Sequence, residues 1–256
     1  MKSFGAFFKK ELTESARNGK TLIVLTLFAA VGITNPAIAK LTPWMMDVFS
    51  DSFSDIGIIV GNVEVNALTS WTQFFKNIPI ALIAFVLIYS GIFTKEYESG
   101  TLILVITKGI ARYKILVSKL AYLTLSWTAG FWSCFLITYG YNAYFWDNSI
   151  AKGLIEASVC WWLFGLFVIC AVVFFSVIVN SGSGVLLGAG GSVLLSYLLG
   201  LLPKAYEYTP TSLMDVSLRI AATIDVEVFI KAIIVTSSLS VISIATGIFL
   251  FNKKQL

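Results

Sequence analysis

The chain is 256 residues long, 57% apolar and only 12% charged, with a net charge of +4 and a mean hydropathy of +0.86. Those values lie far outside the range of soluble globular domains and read as an all-α integral membrane protein. The absence of His removes His-dependent triads and HExxH zinc sites, while Cys134, Cys160 and Cys170, each inside an apolar run, read as buried thiols.

In chain order, residues 1–20 form the first unit. Phe4, Phe7, Phe8, Leu12 and Ala16 recur at helical spacing, with Lys9, Thr13, Arg17 and Lys20 largely opposite. This pattern predicts an amphipathic helix lying in the membrane interface, its rings toward acyl chains and its cations toward lipid phosphates. Ala37-Ile38-Ala39 imitates a signal cleavage site, but the basic region before it is helical and the apolar run is long enough to span. Asn18-Gly19-Lys20-Thr21 ends like a P-loop, yet Glu14 stands where that motif needs glycine.

The remaining domain, residues 21–256, is predicted to hold six spans, at about 21–38, 77–93, 117–140, 154–179, 185–202 and 229–251. Asn35-Pro36 is expected to bend the end of the first. Residues 40–76 read as an external segment in which Ile56 to Val60 is too short to cross. Tyr139, Tyr141, Tyr144, Phe145 and Trp146 read as an aromatic belt. Gly184, Gly188 and Gly191 begin span five, a small-residue pattern that favours close helix packing within the subunit or across a dimer. Residues 203–229 form a second external segment with two short amphipathic stretches.

Between spans two and three lies a polar island, predicted as a coupling segment over about 95–113. Glu96 and Glu98 favour a helix N-terminus, Ser99 or Thr101 can cap it, and Leu102, Val105 and Ile106 make one apolar stripe. Gly109 is a natural stop. A helix this short is marginal alone, so its stripe must lie against a partner or lipid headgroups.

With both termini inside, Lys2, Lys9, Lys10, Arg17, Lys20, Lys95, Lys108, Arg112, Lys114, Lys119, Lys253 and Lys254 fall on one side. Lys40, Lys76, Lys152, Lys204, Arg219 and Lys231 fall on the other, so the positive-inside rule favours that orientation. No ionisable residue lies mid-span, which argues against an ion-coupled transporter and an intramembrane acid–base enzyme. No catalytic residue, metal site or nucleotide site is expected in this chain, and no nucleic acid as partner.

The run Lys95-Glu96-Tyr97-Glu98-Ser99-Gly100-Thr101-Leu102, with Thr107-Lys108-Gly109-Ile110-Ala111-Arg112 and Ser118-Lys119, resembles the segment between spans two and three of ABC-2 type permeases. That family reads roughly E-x-E-x-G-T-L, then K-P-I-x-R, then K, and this chain departs from it at Gly109, where Pro is usual. The similarity extends upstream to Trp71 to Asn77 and Asn35 to Lys40, and more weakly downstream to Tyr208 to Thr211. The resemblance implies a coupling helix docked in a groove of a cytoplasmic ABC ATPase subunit. Leu102, Val105 and Ile106 would fill that groove, with Glu96, Glu98, Gly100, Thr101, Lys108 and Arg112 shaping or orienting the contact. It further implies two ATPase subunits that bind ATP and Mg, and a second copy or a related permease. The expected function is export of a hydrophobic or amphipathic substrate across a bacterial cell membrane, as in the small Gram-positive peptide-export or immunity group that includes phenol-soluble modulin exporters.

Two alternatives remain at this level. One is a membrane sensor or scaffold that binds an ATPase without transport. The other is a lipid-modifying enzyme using Asp47, Asp51, Asp55 and Glu64, which otherwise read as solvated loop acids.

Overall fold

Apolar runs of this length become helices because a helix satisfies every backbone N–H and C=O within itself where no water is available. The computed structural model describes residues 2–55, 65–98, 100–107, 109–222 and 226–254, and among them there is no strand. The helices are α1 (Lys2–Arg17), α2 (Lys20–Asp55), α3 (Ala67–Tyr89), α4 (Thr94–Glu98), α5 (Thr101–Thr107) and α6 (Arg112–Phe145), followed by α7 (Leu154–Ile178), α8 (Gly182–Gly200), α9 (Pro203–Tyr206), α10 (Ser212–Asp215) and α11 (Ile230–Lys253). Among the described residues six of them, α2, α3, α6, α7, α8 and α11, are long and apolar enough to cross a membrane.

Spans four, five and six stand within a few residues of their predicted bounds. The first three are longer or shifted. Helix α2 runs to Asp55 instead of ending near residue 38, so its 36 residues measure about 54 Å against a hydrocarbon core of about 30 Å. Part of the expected external segment is therefore a continuation of the first helix. Helix α3 begins at Ala67 instead of residue 77, because Asn66 and Thr69 form a reciprocal capping box that starts it there. Helix α6 begins at Arg112 and extends to Phe145. The stretch Ile56 to Val60 lies outside the described residues.

Why α2 passes through Pro36 is a matter of one hydrogen bond. Proline has no N–H, so the carbonyl of Gly32, four residues back, loses its helical partner. Thr138 of α6 supplies the donor instead, its Oγ1 lying 2.9 Å from that carbonyl. Asn35 donates from Nδ2 to Thr138 Oγ1 at 3.2 Å and accepts from Asn77 Nδ2 at 2.8 Å, so one polar chain ties α3, α2 and α6. Gly32 makes room for it, since a Cβ there would meet the Cys134 carbonyl at 3.0 Å. Thr138→Val would strand the Gly32 carbonyl and an Asn35 donor in the interior. It is expected to lower stability by about 1–3 kcal/mol, read from chemical denaturation in detergent, with Thr138→Ser close to wild type.

The core is aromatic. Trp71, Phe74, Phe85, Trp127 and Phe131 are fully buried, and their rings meet largely edge to face. Leu22, Leu136, Leu187, Ile234 and Val241 face outward, so large side chains also coat the exterior. That surface suits lipid and not water. One end of the bundle carries α1, α4, α5 and the end of α11, and is called the elbow end below. The other carries α9, α10 and the exposed rings Tyr139, Tyr141 and Tyr144.

Candidate functional site

The polar island folds as two short helices joined by left-handed glycines. Gly100 (φ 67°) separates α4 from α5, and Gly109 (φ 82°) turns the chain into α6. Both angles are strained for a residue with a Cβ, and no atom lies within 4 Å of where a Cβ would sit. Proline, fixed near φ −65°, cannot adopt the Gly109 conformation. Glycine at this position is therefore what the turn requires.

The stripe of α5 points inward. Leu102 is 1% exposed, and Val105 and Ile106 are half-buried against the same core. The chain's own bundle covers Leu102 and half covers Val105 and Ile106, because a helix of 7 residues holds only when its apolar side is packed. The outward face of α5 is Thr101, Leu104 and Thr107, with Leu104 62% exposed. Lys108 lies outside the described residues, as does the side chain of Glu98.

Glu96 is likewise turned inward, into a buried cluster of charges. Its carboxylate lies 2.7 Å from Lys10 Nζ and 3.1 Å from Lys119 Nζ, and Lys119 reaches Glu11 at 3.0 Å. Lys119 is 1% exposed and Glu96 9%. The Lys119 ammonium also stands 5.3 Å from the Phe93 ring centroid. One turn further along α6, the hydroxyls of Tyr122 and Tyr89 are 2.7 Å apart, and Tyr122 donates to Ser15. A polar cavity of about 240 Å³ borders this cluster, lined by Glu11, Glu14, Ser15, Lys20, Glu96 and Lys119 among others. Helices α1, α4 and α6 are thus held together by charge. The carboxylates of Glu11, Glu14 and Glu96 are close enough to share an ion, but two ammonium groups already stand among them.

The geometry of α1 follows from this. Phe7, Glu11 and Ser15 recur every four residues and form its buried face, so Phe7 packs into the bundle instead of facing acyl chains. Phe4 is half-buried, Phe8 and Leu12 pack at the rim of the core, and Lys9 and Arg17 are exposed. The signal for this face was present in the sequence: Glu11 and Ser15 continue the register of Phe7.

Burial alone would raise the Glu96 carboxyl, but the nearby Lys119 and Lys10 ammonium groups override it and hold it below its ordinary value of 4.5. Burial lowers Lys10, and its hydrogen bond to Glu96 more than restores it, so its ammonium is held above the ordinary lysine range. A carboxyl depressed by folding contributes stability that is present above its ordinary value and lost as pH falls through the folded one. A raised lysine contributes stability that is present below its ordinary value and lost as pH rises through the folded one. The melting temperature is therefore expected to be flat through neutral pH and to drop below about pH 4.5. Glu96→Gln should flatten the acid limb.

Two further staples fix the elbow. Arg112 Nη1 donates to the carbonyls of Phe251 (3.0 Å) and Asn252 (3.4 Å), and also to that of Lys254. A cation at a helix C-terminus satisfies orphan carbonyls and complements the helix dipole. Lys254 donates to the Val177 carbonyl (2.7 Å) and to Asn180 Oδ1 (2.6 Å), and its ammonium sits 4.5 Å from the Tyr97 ring centroid.

The glycines of α8 divide. A Cβ on Gly188 would stand 2.3 Å from Phe175, so α8 packs on α7 through it. A Cβ on Gly184 would meet Val179 and Ser181 in the local turn, and Gly191 faces open space. Asp47, of the acids considered for lipid chemistry, is exposed on α2, while Glu64 and the side chains of Asp51 and Asp55 lie outside the described residues. No family model matches the chain, and no curated protein matches it.

Proposed function

We propose that the chain is the transmembrane permease subunit of an ATP-driven exporter in a bacterial cell membrane, with both termini and the elbow in the cytoplasm. A separate ATPase pair binding ATP and Mg would supply the energy, and two permease chains would face each other across the path of a hydrophobic or amphipathic substrate. The observation that carries this reading is the elbow: a short helix with a left-handed glycine on either side and an exposed leucine. On the far side of Gly100, Lys10 and Lys119 fasten α4 to α1 and α6 through Glu96, while Arg112 and Lys254 tie the start of α6 and the end of α7 to the end of α11. A push on Leu104 would pass through the packed side of α5 into the core and, across Gly100, to α4 and its ion pairs.

The contact face is Thr101, Leu104 and Thr107 and not the buried stripe. Leu104→Glu is expected to leave the melting temperature unchanged and to weaken capture of the proposed ATPase partner by about tenfold, as for loss of a central apolar anchor. Undiminished capture, with substrate still stimulating ATP hydrolysis, would overturn it.

A further inference from the structure

At the end away from the elbow, α8 rests mainly on α7 and leaves a cleft between itself and α11. The cleft holds about 410 Å³, with Phe167 and Phe174 as floor, Leu195 and Leu199 on one wall, and Val235 and Leu239 on the other. Its mouth is charged. Lys231 lies one turn before Val235 on the same side of α11, with its Nζ 2.6 Å from Glu207 and 5.4 Å from the ring centroid of Tyr208, which also lines the cleft. Lys231 and Glu207 are each about half exposed.

We propose that this cleft binds one phospholipid, with an acyl chain along Val235 and Leu239 and the phosphate at Lys231. Lys231, Val235, Leu239 and Ser243 are spaced by four, so the groove runs about 18 Å from cation to deep end, enough for a single extended chain. A peptide is a poor fit, because its backbone would need hydrogen-bond partners. Ser192 is already bonded to the Ala189 carbonyl, and Ser196 to Thr211. The cleft opens sideways between two membrane-length helices, where lipid is the available amphiphile. With the orientation proposed above the bound molecule belongs to the outer leaflet, and the site is independent of whether the chain transports anything.

The test is native mass spectrometry of the intact chain titrated in detergent with phosphatidylglycerol, with diacylglycerol of the same chains, and with inorganic phosphate. A one-to-one phosphatidylglycerol adduct is expected, a weaker diacylglycerol adduct, and none with phosphate. Leu239→Trp, on the cleft wall, should weaken both lipid adducts by about tenfold. Lys231→Gln, at an exposed position, should bring phosphatidylglycerol down to the level of diacylglycerol and leave diacylglycerol unchanged. Equal binding of the two lipids by the wild-type chain, or a phosphatidylglycerol adduct indifferent to Lys231→Gln, would overturn the assignment.

Discussion

Lys119→Met is expected to lower the unfolding free energy by about 3–5 kcal/mol, the usual consequence of removing one partner from a buried ion pair. Lys119 touches two carboxylates, Glu11 at 3.0 Å and Glu96 at 3.1 Å, whose side chains are only 8% and 12% exposed. Without it they face one another with Lys10 alone, which is 39% exposed and so screened by solvent. The acid response should also shrink. In the wild type the Glu96 carboxyl is held low, and acid destabilises. In the variant burial is less opposed, so the carboxyl is held down less than in the wild type. Less stability is then lost as pH falls through the folded value. Melting curves followed by helical circular dichroism from pH 7 to pH 3 should therefore drop below about pH 4.5 for the wild type and drop less for Lys119→Met. Adding Glu96→Leu should recover part of the loss, since an apolar replacement of a buried pair is often near neutral. A single variant within about 1 kcal/mol of wild type, with unchanged acid slope, would show that the cluster holds little of the structure.

What the sequence reveals about this site depends on how far apart the partners stand in the chain. The turn at Gly109 and the extent of α5 are local matters of capping, apolar spacing and glycine, and both are legible. The direction of the α5 stripe is not, since Leu102 is equally suited to a partner's groove and to its own core. Lys119 reads as one more cytoplasmic charge because Glu11 lies 108 positions away. Pro36 reads as a bend for the same reason: the donor that repairs the ladder, Thr138, comes from a helix 106 residues distant from Gly32. The start of α3 is a different kind of miss. Asn66 and Thr69 carry a capping box at the required spacing, but Gln73 and Lys76 interrupt the apolar run, which becomes continuous only after Asn77. In the fold Trp71 is fully buried and donates to Asn148 Oδ1 at 2.9 Å.

Gly165→Ala is expected to be among the most damaging single-methyl additions in the chain, at about 3 kcal/mol, the upper part of the range for overpacking. A Cβ on Gly165 would stand 2.2 Å from Trp127 Cζ2 and 2.3 Å from Cε2, so the indole must move. It has nowhere to go. Phe28, Phe85 and Phe131 close around it with centroids 5.7, 5.7 and 5.5 Å away, and its Nε1 donates to the Trp162 carbonyl at 3.1 Å. Relief therefore requires α6 and α7 to separate. Trp127→Ala should cost about 3–5 kcal/mol by leaving a cavity. The decisive result is the cycle between them: in the Trp127→Ala background the clash is gone, so Gly165→Ala should add almost nothing and partly fill the void. A coupling of about 2–3 kcal/mol follows from the 2.2 Å approach. Strict additivity in denaturant titrations would mean that α6 and α7 are not held face to face at this point, and the aromatic core would then need a different arrangement.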